Sequence, residues 1–480
     1  MSDVSLDFFT YALDQNIGPI LILMGLVICL LLGRIIGSTP FALHALCMVG
    51  LIGAFALIIM SSSEIQASIQ GLSFGPIYRL GLMLVVVALL AIHLMIMLED
   101  IEPHRKVDCA ALLYVSALGG VISLASTNWM MLFIGIQCLS LPIFGMLALN
   151  TDMRSSVHSA TRYLLLSSIA VACMLFGSAI LYAQTGTLDF ALQSQLVTTL
   201  DPGSYGLATF GFALVMIGLL FKLSLAPFHV WAPSVYQGAR GFSLAYLITI
   251  AKSVILLFVV HNAWIFFGLN STALLASLYA VATLSMWLGN GLMIQEQNYA
   301  RFISYLSIGH MGFLLVPYIS QHPFGTSAII IDLLAFAFAL ILQLMTLQRL
   351  FPSLHHLSLQ DLKGLYNKNP YAAFVLAVSC ASLAGVPLTA GFIAKYTIIL
   401  SGALSDQWFL LINMILSSAI SLWALLKVVV MLYSPSPTTQ RAAGYSLGTG
   451  LLVLGACALF IFGISPDAWL NFIQAHIAQY

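Results

Sequence analysis

Lys222, Lys252, Lys395 and Lys427 are the lysines that fall inside long apolar runs of this sequence. Lys222 stands in "LLFKLSLAPFHVWAP" (Leu219–Pro233), Lys252 in "LAYLITIAKSVILLF" and Lys395 in "SLAGVPLTAGFIAKY". Two histidines share such surroundings: His229, two residues after Pro227, and His310 in "ISYLSIGHMGFLLV". Burial disfavours a charged amine, and an imidazole titrates near neutral pH, so both groups can take up and release protons. A lysine at the centre of a lipid-facing helix would cost about 2.5–3.5 kcal/mol to insert, so these should face the protein interior or a wet cavity. Read together, Lys222, His229, Lys252, His310 and Lys395 form a chain of titratable groups near mid-membrane depth. Proton translocation is the function class they point to.

Plainer readings stand beside this one. Lys427 lies near the cytoplasmic end of its run, where a lysine can snorkel to the headgroups. His310 has a packing reading as a hydrogen-bonded core histidine. His44 and His93 sit near the ends of apolar runs and read as interfacial. Cys138 and the methionines read as packing residues.

The elements that must hold these groups are membrane spans. The chain is 480 residues long, 61% hydrophobic and only 7% charged, against about 25% charged in a soluble domain. It cannot cover a globule with polar surface. Splitting it at polar and Pro/Gly breaks gives about fourteen spans by the ~20-residue rule. They lie near 17–38, 41–61, 77–98, 109–126, 128–150, 159–184, 206–236, 241–262, 271–293, 301–320, 323–351, 371–403, 406–434 and 444–466. Ten-residue alternating strands are absent, so the expected class is an all-α polytopic membrane protein and not a β-barrel. The seventh and twelfth spans are long and contain Pro227 and Pro387, so both are expected to be broken helices. The carbonyls near Leu223 would then be open, which is tolerated at membrane depth only where protein or water satisfies them.

Orientation follows from the basic residues. Arg34, Arg105, Lys106, Arg154, Arg162, Arg240, Arg301, Arg349, Lys363, Lys368 and Arg441 fall in or beside alternate loops on one side, and Arg79 alone on the other. The positive-inside rule makes the first side cytoplasmic and places both termini outside. The N-terminus carries Asp3, Asp7 and Asp14 and no basic n-region, so no cleavable signal peptide is expected. The seven cysteines form no C-x-x-C pair and read as small buried packing residues. No metal site and no nucleotide loop is legible.

The stretches "FKLSLAPFHVWAPSVYQGA", "SYLSIGHMGF" and "SLAGVPLTAGFIAKY" resemble the core motifs of the antiporter-like subunits of respiratory complex I, a family related to Mrp-type antiporters. The likeness runs roughly over residues 80–435. The modest length, without a long C-terminal lateral helix, favours the subunit N branch. The resemblance implies two inverted five-helix repeats with helices 7 and 12 broken. It divides the chain into 1–108 (helices 1–3), 109–262 (helices 4–8), 263–434 (helices 9–13) and 435–480 (helix 14). It implies a proton path built on Lys222, Lys252 and Lys395 with His229 and His310 nearby, coupled to quinone reduction elsewhere. No cofactor is implied on this chain; FMN, iron–sulfur clusters and quinone are expected in other subunits. The implied partners are the other membrane subunits of complex I, neighbouring antiporter-like subunits included, and the lipid bilayer, with no nucleic acid. The implied place is the bacterial inner membrane.

The sequence departs from the family pattern at specific positions. The family's helix-five glutamate, partner of the helix-seven lysine, is Gln137 here, in "FIGIQCLSLPIFG". An amide offers a carbonyl but no full charge. Ser234, His158 and Ala300 replace an acid, an acid and a lysine, while Arg162 replaces a lysine and holds charge without relaying it. One acid appears where the family is usually neutral: Asp332, in "AIIIDLLAFAF". The expectation is that Asp332 faces inward and pairs with an in-membrane lysine; the alternative is a carboxylic acid kept protonated by burial. Three functions follow: a proton-translocating subunit; a structural, conformation-transmitting subunit with an impaired channel; or a cation/proton antiporter subunit outside complex I.

Overall fold

The computed structural model describes residues 17–60, 67–69, 71–149, 154–267, 271–351, 354–435 and 447–477. The acidic N-terminal residues Asp3, Asp7 and Asp14, and Arg441, lie outside them. The principal helices are α1 (Gly18–Ile36), α2 (Pro40–Met60), α3 (Pro76–Leu98), α4 (Pro103–Ala125), α5 (Trp129–Ala148), α6 (Arg154–Thr185), α7 (Pro202–Lys222), α8 (Ala232–Gln237), α9 (Gly241–Ile248), α10 (Ile250–His261), α11 (Thr272–Met293), α12 (Tyr299–Ser320), α13 (Pro323–Leu350), α14 (Pro370–Ala384), α15 (Ala390–Leu404), α16 (Trp408–Tyr433), α17 (Leu447–Ile464) and α18 (Asp467–Ile477). Strands β1 (Ala67–Ile69) and β2 (Leu72–Phe74) form a small antiparallel ribbon before α3. Proline opens α1, α3, α4, α13 and α14, where its missing N–H costs nothing.

Among the described residues twelve spans are long and apolar enough to cross a membrane, with α9 and α10 together making one of them. The difference from about fourteen lies in two places. The twelfth expected span is a pair of short apolar helices, α14 and α15. The last is bent by 71° between Gly448–Ile464 and Trp469–Ala475. All the rest fall where the apolar runs placed them. One interruption was not expected. The span read as continuous over 241–262 is broken at Thr249, whose ψ is −77°. The Thr249 hydroxyl donates to Ala245 O at 2.6 Å, the back-bonding that bends helices.

The described chain forms two compact units, one within Met1–Lys222 and Ile250–Leu274, the other within Leu223–Thr249 and Leu275–Ala475. In the first, α4 packs on α5, α6 on α7, and α10 on α3 and α4. Small residues let these backbones close up. A Cβ at Gly119 would stand 2.2 Å from Leu139 N, and one at Gly177 2.5 Å from Gly211 O. Arg79 is buried and donates to Ile58 O at 3.1 and 2.8 Å, closing the end of α2. His44 and His93 are also buried here, which corrects the interfacial reading: α2 packs on α3 and α4, and both rings point into that seam. In the second unit α13 packs on α14 and α15, α14 on α16 and α17, and α8 on α12. The cysteines are all free, but Cys29 and Cys457 are exposed on their helices and so are not buried packing residues.

Candidate functional site

In the first unit the site is built around Lys222, the last residue of α7. Its side chain is buried, and Nζ donates to Ser140 Oγ on α5 and Ser167 Oγ on α6, both at 2.6 Å. The ammonium also sits 5.6 Å from the ring centroid of Tyr163, one turn before Ser167. Ser140 donates its own proton to Ile136 O at 2.6 Å, which leaves its lone pairs for the lysine. Gln137, one turn from Ser140 on α5, is half-buried. The lysine is thus held by neutral acceptors, two hydroxyls and a ring face, at the position where the family resemblance implies a carboxylate. Arg162 precedes Tyr163 and is half-buried. Lys252 lies on α10, three residues past the Thr249 break, and only 1% of it is exposed.

In the second unit Lys395 is the counterpart. α14 ends in a left-handed Gly385 at φ +80°, with Val386 N–H donating to Ala381 O and Gly385 N–H to Ser382 O. This pair of bonds closes the last turn. It leaves the Ala384 carbonyl open, and Lys395 Nζ donates to it at 2.7 Å. A Cβ on Gly385 would stand 2.7 Å from Lys395 Cδ, and one on Gly391 1.8 Å from Ser382 O. The two glycines therefore let α15 fold back across the end of α14. Lys395 Nζ also lies 5.7 Å from the Phe313 ring.

His310, on α12 with Phe313, places Nε2 2.7 Å from Asp332 Oδ2 of α13. Both side chains are buried, and the imidazole stacks on Phe336 with centroids 3.8 Å apart. The contact has ion-pair distance without directed hydrogen-bond geometry. Two opposed polar groups this close in an apolar seam interact whatever the angle. The expectation that Asp332 pairs with a lysine is corrected: its direct partner is His310, and Lys395 feels it only through the field.

Other sequence candidates fall elsewhere. Pro227 and His229 lie in the break between α7 and α8, where His229 is half-buried. The break's Ala226 N–H is satisfied by Ser285 Oγ at 2.8 Å. Pro387 lies between α14 and α15. Ser234 donates to Trp231 O, and Ala300 is buried. Lys427 is exposed on α16 and sits 5.6 Å from the Trp423 ring, in keeping with snorkelling. Ser140, Ser167, Tyr163 and Thr249 are not conspicuous in the sequence, because charges and prolines stand out in an apolar run while the hydroxyls that hold the lysine do not. The spacing of Ser140 from Gln137, three residues on one helix, carried a usable signal.

Residues 126–421 match the profile described as NADH:quinone oxidoreductase/Mrp antiporter, TM. That region holds Lys222, Lys252, His310 and Lys395. The chain belongs to the NADH:quinone oxidoreductase/Mrp antiporter family. Within this family it is 32% identical over 386 residues to NADH-quinone oxidoreductase subunit N of Acinetobacter baumannii, covering 78% of this chain and 76% of that one. Among solved structures it resembles a chain of respiratory complex I from Thermus thermophilus with bound aureothin, at TM-score 0.79 and 22% identity over 94% of this chain and 98% of that one. It also resembles a chain of the membrane-bound sulfane sulfur reductase, an archaeal respiratory membrane complex, at TM-score 0.84 and 21% identity, covering 96% and 97%. The profile covers the spans from α5 to the first half of α16, and α1–α4 lie outside the residues it matches.

Proposed function

We propose that this chain is a proton-translocating, antiporter-like membrane subunit of an NADH–quinone oxidoreductase. It would sit in a bacterial plasma membrane with both termini on the non-cytoplasmic side. Its electrons would pass through other subunits, which would carry FMN, iron–sulfur clusters and quinone. The observation that carries the reading is the pair of amines at helix breaks: the buried Lys222 at the end of α7 and the half-buried Lys395 beside the end of α14. Each is held by neutral oxygen, so each can give up its proton without tearing an ion pair apart. Lys252, His229 and His310 would complete the path, and the repeats 109–262 and 263–434 would each supply one broken helix. Water threading between these groups would move protons among them.

Lys395→Ala tests this directly. The variant should assemble, because an alanine fits where the lysine stem crosses Gly385, and NADH-driven proton uptake into vesicles should fall. Undiminished uptake per electron would reject the role given to Lys395.

A second reading is favoured by one observation: Lys222 has serines as partners and Gln137 stands where the family resemblance implies glutamate. On that reading the subunit mainly transmits conformational change and its channel is impaired. Gln137→Glu separates the two. A working path leaves the proton-to-electron ratio unchanged; a changed ratio means that the native path is impaired or that protons take another route.

A further inference from the structure

Three ring side chains in the first unit form a buried hydrogen-bonded row that the lysine path does not use. His44 of α2 places Nδ1 3.1 Å from His93 Nε2 of α3. His93 places Nδ1 3.0 Å from the Tyr114 hydroxyl of α4. The three residues are at most 4% exposed. Past Tyr114 lies the Cys47 thiol, one turn from His44 on α2. At the other end His44 Nε2 is buried and has no hydrogen-bond partner.

A row of this kind has two polarities. In one, His44 Nδ1–H donates to His93 Nε2, His93 Nδ1–H donates to Tyr114 Oη, and the phenol proton points toward Cys47. His44 Nε2 is then a bare lone pair. In the other, every donor is reversed, and His44 Nε2 carries the hydrogen. Adding one proton at His44 Nε2 and removing one from the phenol converts the first state into the second. A pair of histidines placed only for packing would not strand a polar nitrogen in an apolar seam, because an apolar ring would fill the site without an unsatisfied group.

We propose that His44, His93 and Tyr114 form a second proton-binding site, a relay through the first helices of the chain. A proton reaches the buried His44 Nε2 when a local opening of the α2–α3–α4 seam admits water. The Nδ1 proton of His44 passes to His93 Nε2, the Nδ1 proton of His93 passes to Tyr114 Oη, and the phenol proton leaves through the same opening on the Cys47 side. One proton enters and one leaves. The charged and titratable groups around it are Lys106 of α4, whose field reaches His44 and whose Nζ donates to Met97 O at 2.8 Å, Cys47 of α2 and Cys29 of α1. The site lies outside residues 126–421, which match the family profile, and does not depend on the lysine path.

The test is nuclear magnetic resonance of the full chain, isolated with the subunits it holds, labelled with nitrogen-15 histidine and reconstituted in liposomes. The expected result is coupling between the His44 and His93 ring nitrogens, and signals from both rings that move together on warming as the two polarities interchange. His93→Gln should abolish the joint movement. Tyr114→Phe, which keeps the ring and removes the outlet, should keep the coupling and slow exchange of the imidazole protons with deuterated water. Lys222→Ala should change none of these, so failure of the lysine path and failure of the relay are separable. Rings locked in one polarity, or an exchange rate indifferent to Tyr114→Phe, would overturn the relay.

Discussion

Lys222 shows how a membrane-buried amine is kept by hydroxyls. Each serine accepts one N–H, and a hydrogen bond to a charged group contributes about 1.5–3 kcal/mol. Ser140→Ala removes one of them and leaves a small apolar gap. The variant is expected to fold, to lower the thermal midpoint of the isolated protein, and to pump fewer protons per electron. Ser178→Ala on the same helix bundle is the control, because that hydroxyl is exposed and bonds only to its own helix at Leu175 O. Equal behaviour of the two variants would show that Lys222 does not rely on Ser140. At this scale the sequence was legible in part. A lysine in an apolar run is conspicuous, since its cost in lipid demands a reason, and so Lys222, Lys252 and Lys395 could be singled out. What each lysine touches was not legible. Ser140 and Ser167 are ordinary residues until α5, α6 and α7 are packed together, and Asp332 could be assigned to a lysine or to His310 only once α12 and α13 were side by side.

The break after α14 is the element that places Lys395, and its glycines are the parts that can be tested. Gly385 is needed for its left-handed backbone, where an L side chain costs about 1–2 kcal/mol, and for the space that the lysine stem occupies. Gly385→Ala should therefore destabilise the protein and push the amine off the Ala384 carbonyl, with a loss of pumping that approaches that of Lys395→Ala. Gly53→Ala in α2 is the counterpart: nothing lies within 4 Å of the added methyl, and the change should be neutral or slightly stabilising, as alanine favours helix. Thermal unfolding of the two variants side by side checks this. The proline-marked breaks at Pro227 and Pro387 were legible because proline removes a donor and clashes with the preceding turn. The break at Thr249 was not, because threonine bends a helix only when its hydroxyl turns back to the carbonyl four residues earlier, a local choice that the apolar pattern does not record. The bend after α17 escaped for a similar reason: mean apolarity is the same for a straight and for a bent span.

For the whole molecule, the spans divide by how much of each is covered. In the most apolar 18-residue stretch of each span, 94% of the residues of Tyr299–Ser320 and all of those of Gly241–His261 are buried, against 28% for Gly18–Ile36 and 33% for Trp408–Tyr433. Every titratable group given a part in the proton path lies on or beside the covered spans or at a break, and the uncovered helices carry Leu, Ile, Phe and Trp outward, among them Ile412, Leu416 and Trp423 of α16. Such faces suit lipid tails and the apolar flanks of neighbouring membrane subunits equally well, and composition does not choose between them. Isolation does. Extraction in mild detergent, followed by affinity capture on this chain, should bring down subunits that oxidise NADH and reduce quinone. The captured assembly, returned to vesicles, should acidify or alkalinise the lumen only while NADH and quinone turn over. The chain stripped of those partners should hold an imposed proton gradient, because without a conformational push from the redox subunits the amines at Ser140, Ser167 and Ala384 O are not joined into a continuous path. A purified chain that exchanges sodium for protons by itself would place it among free-standing antiporters and remove it from the quinone-reducing assembly.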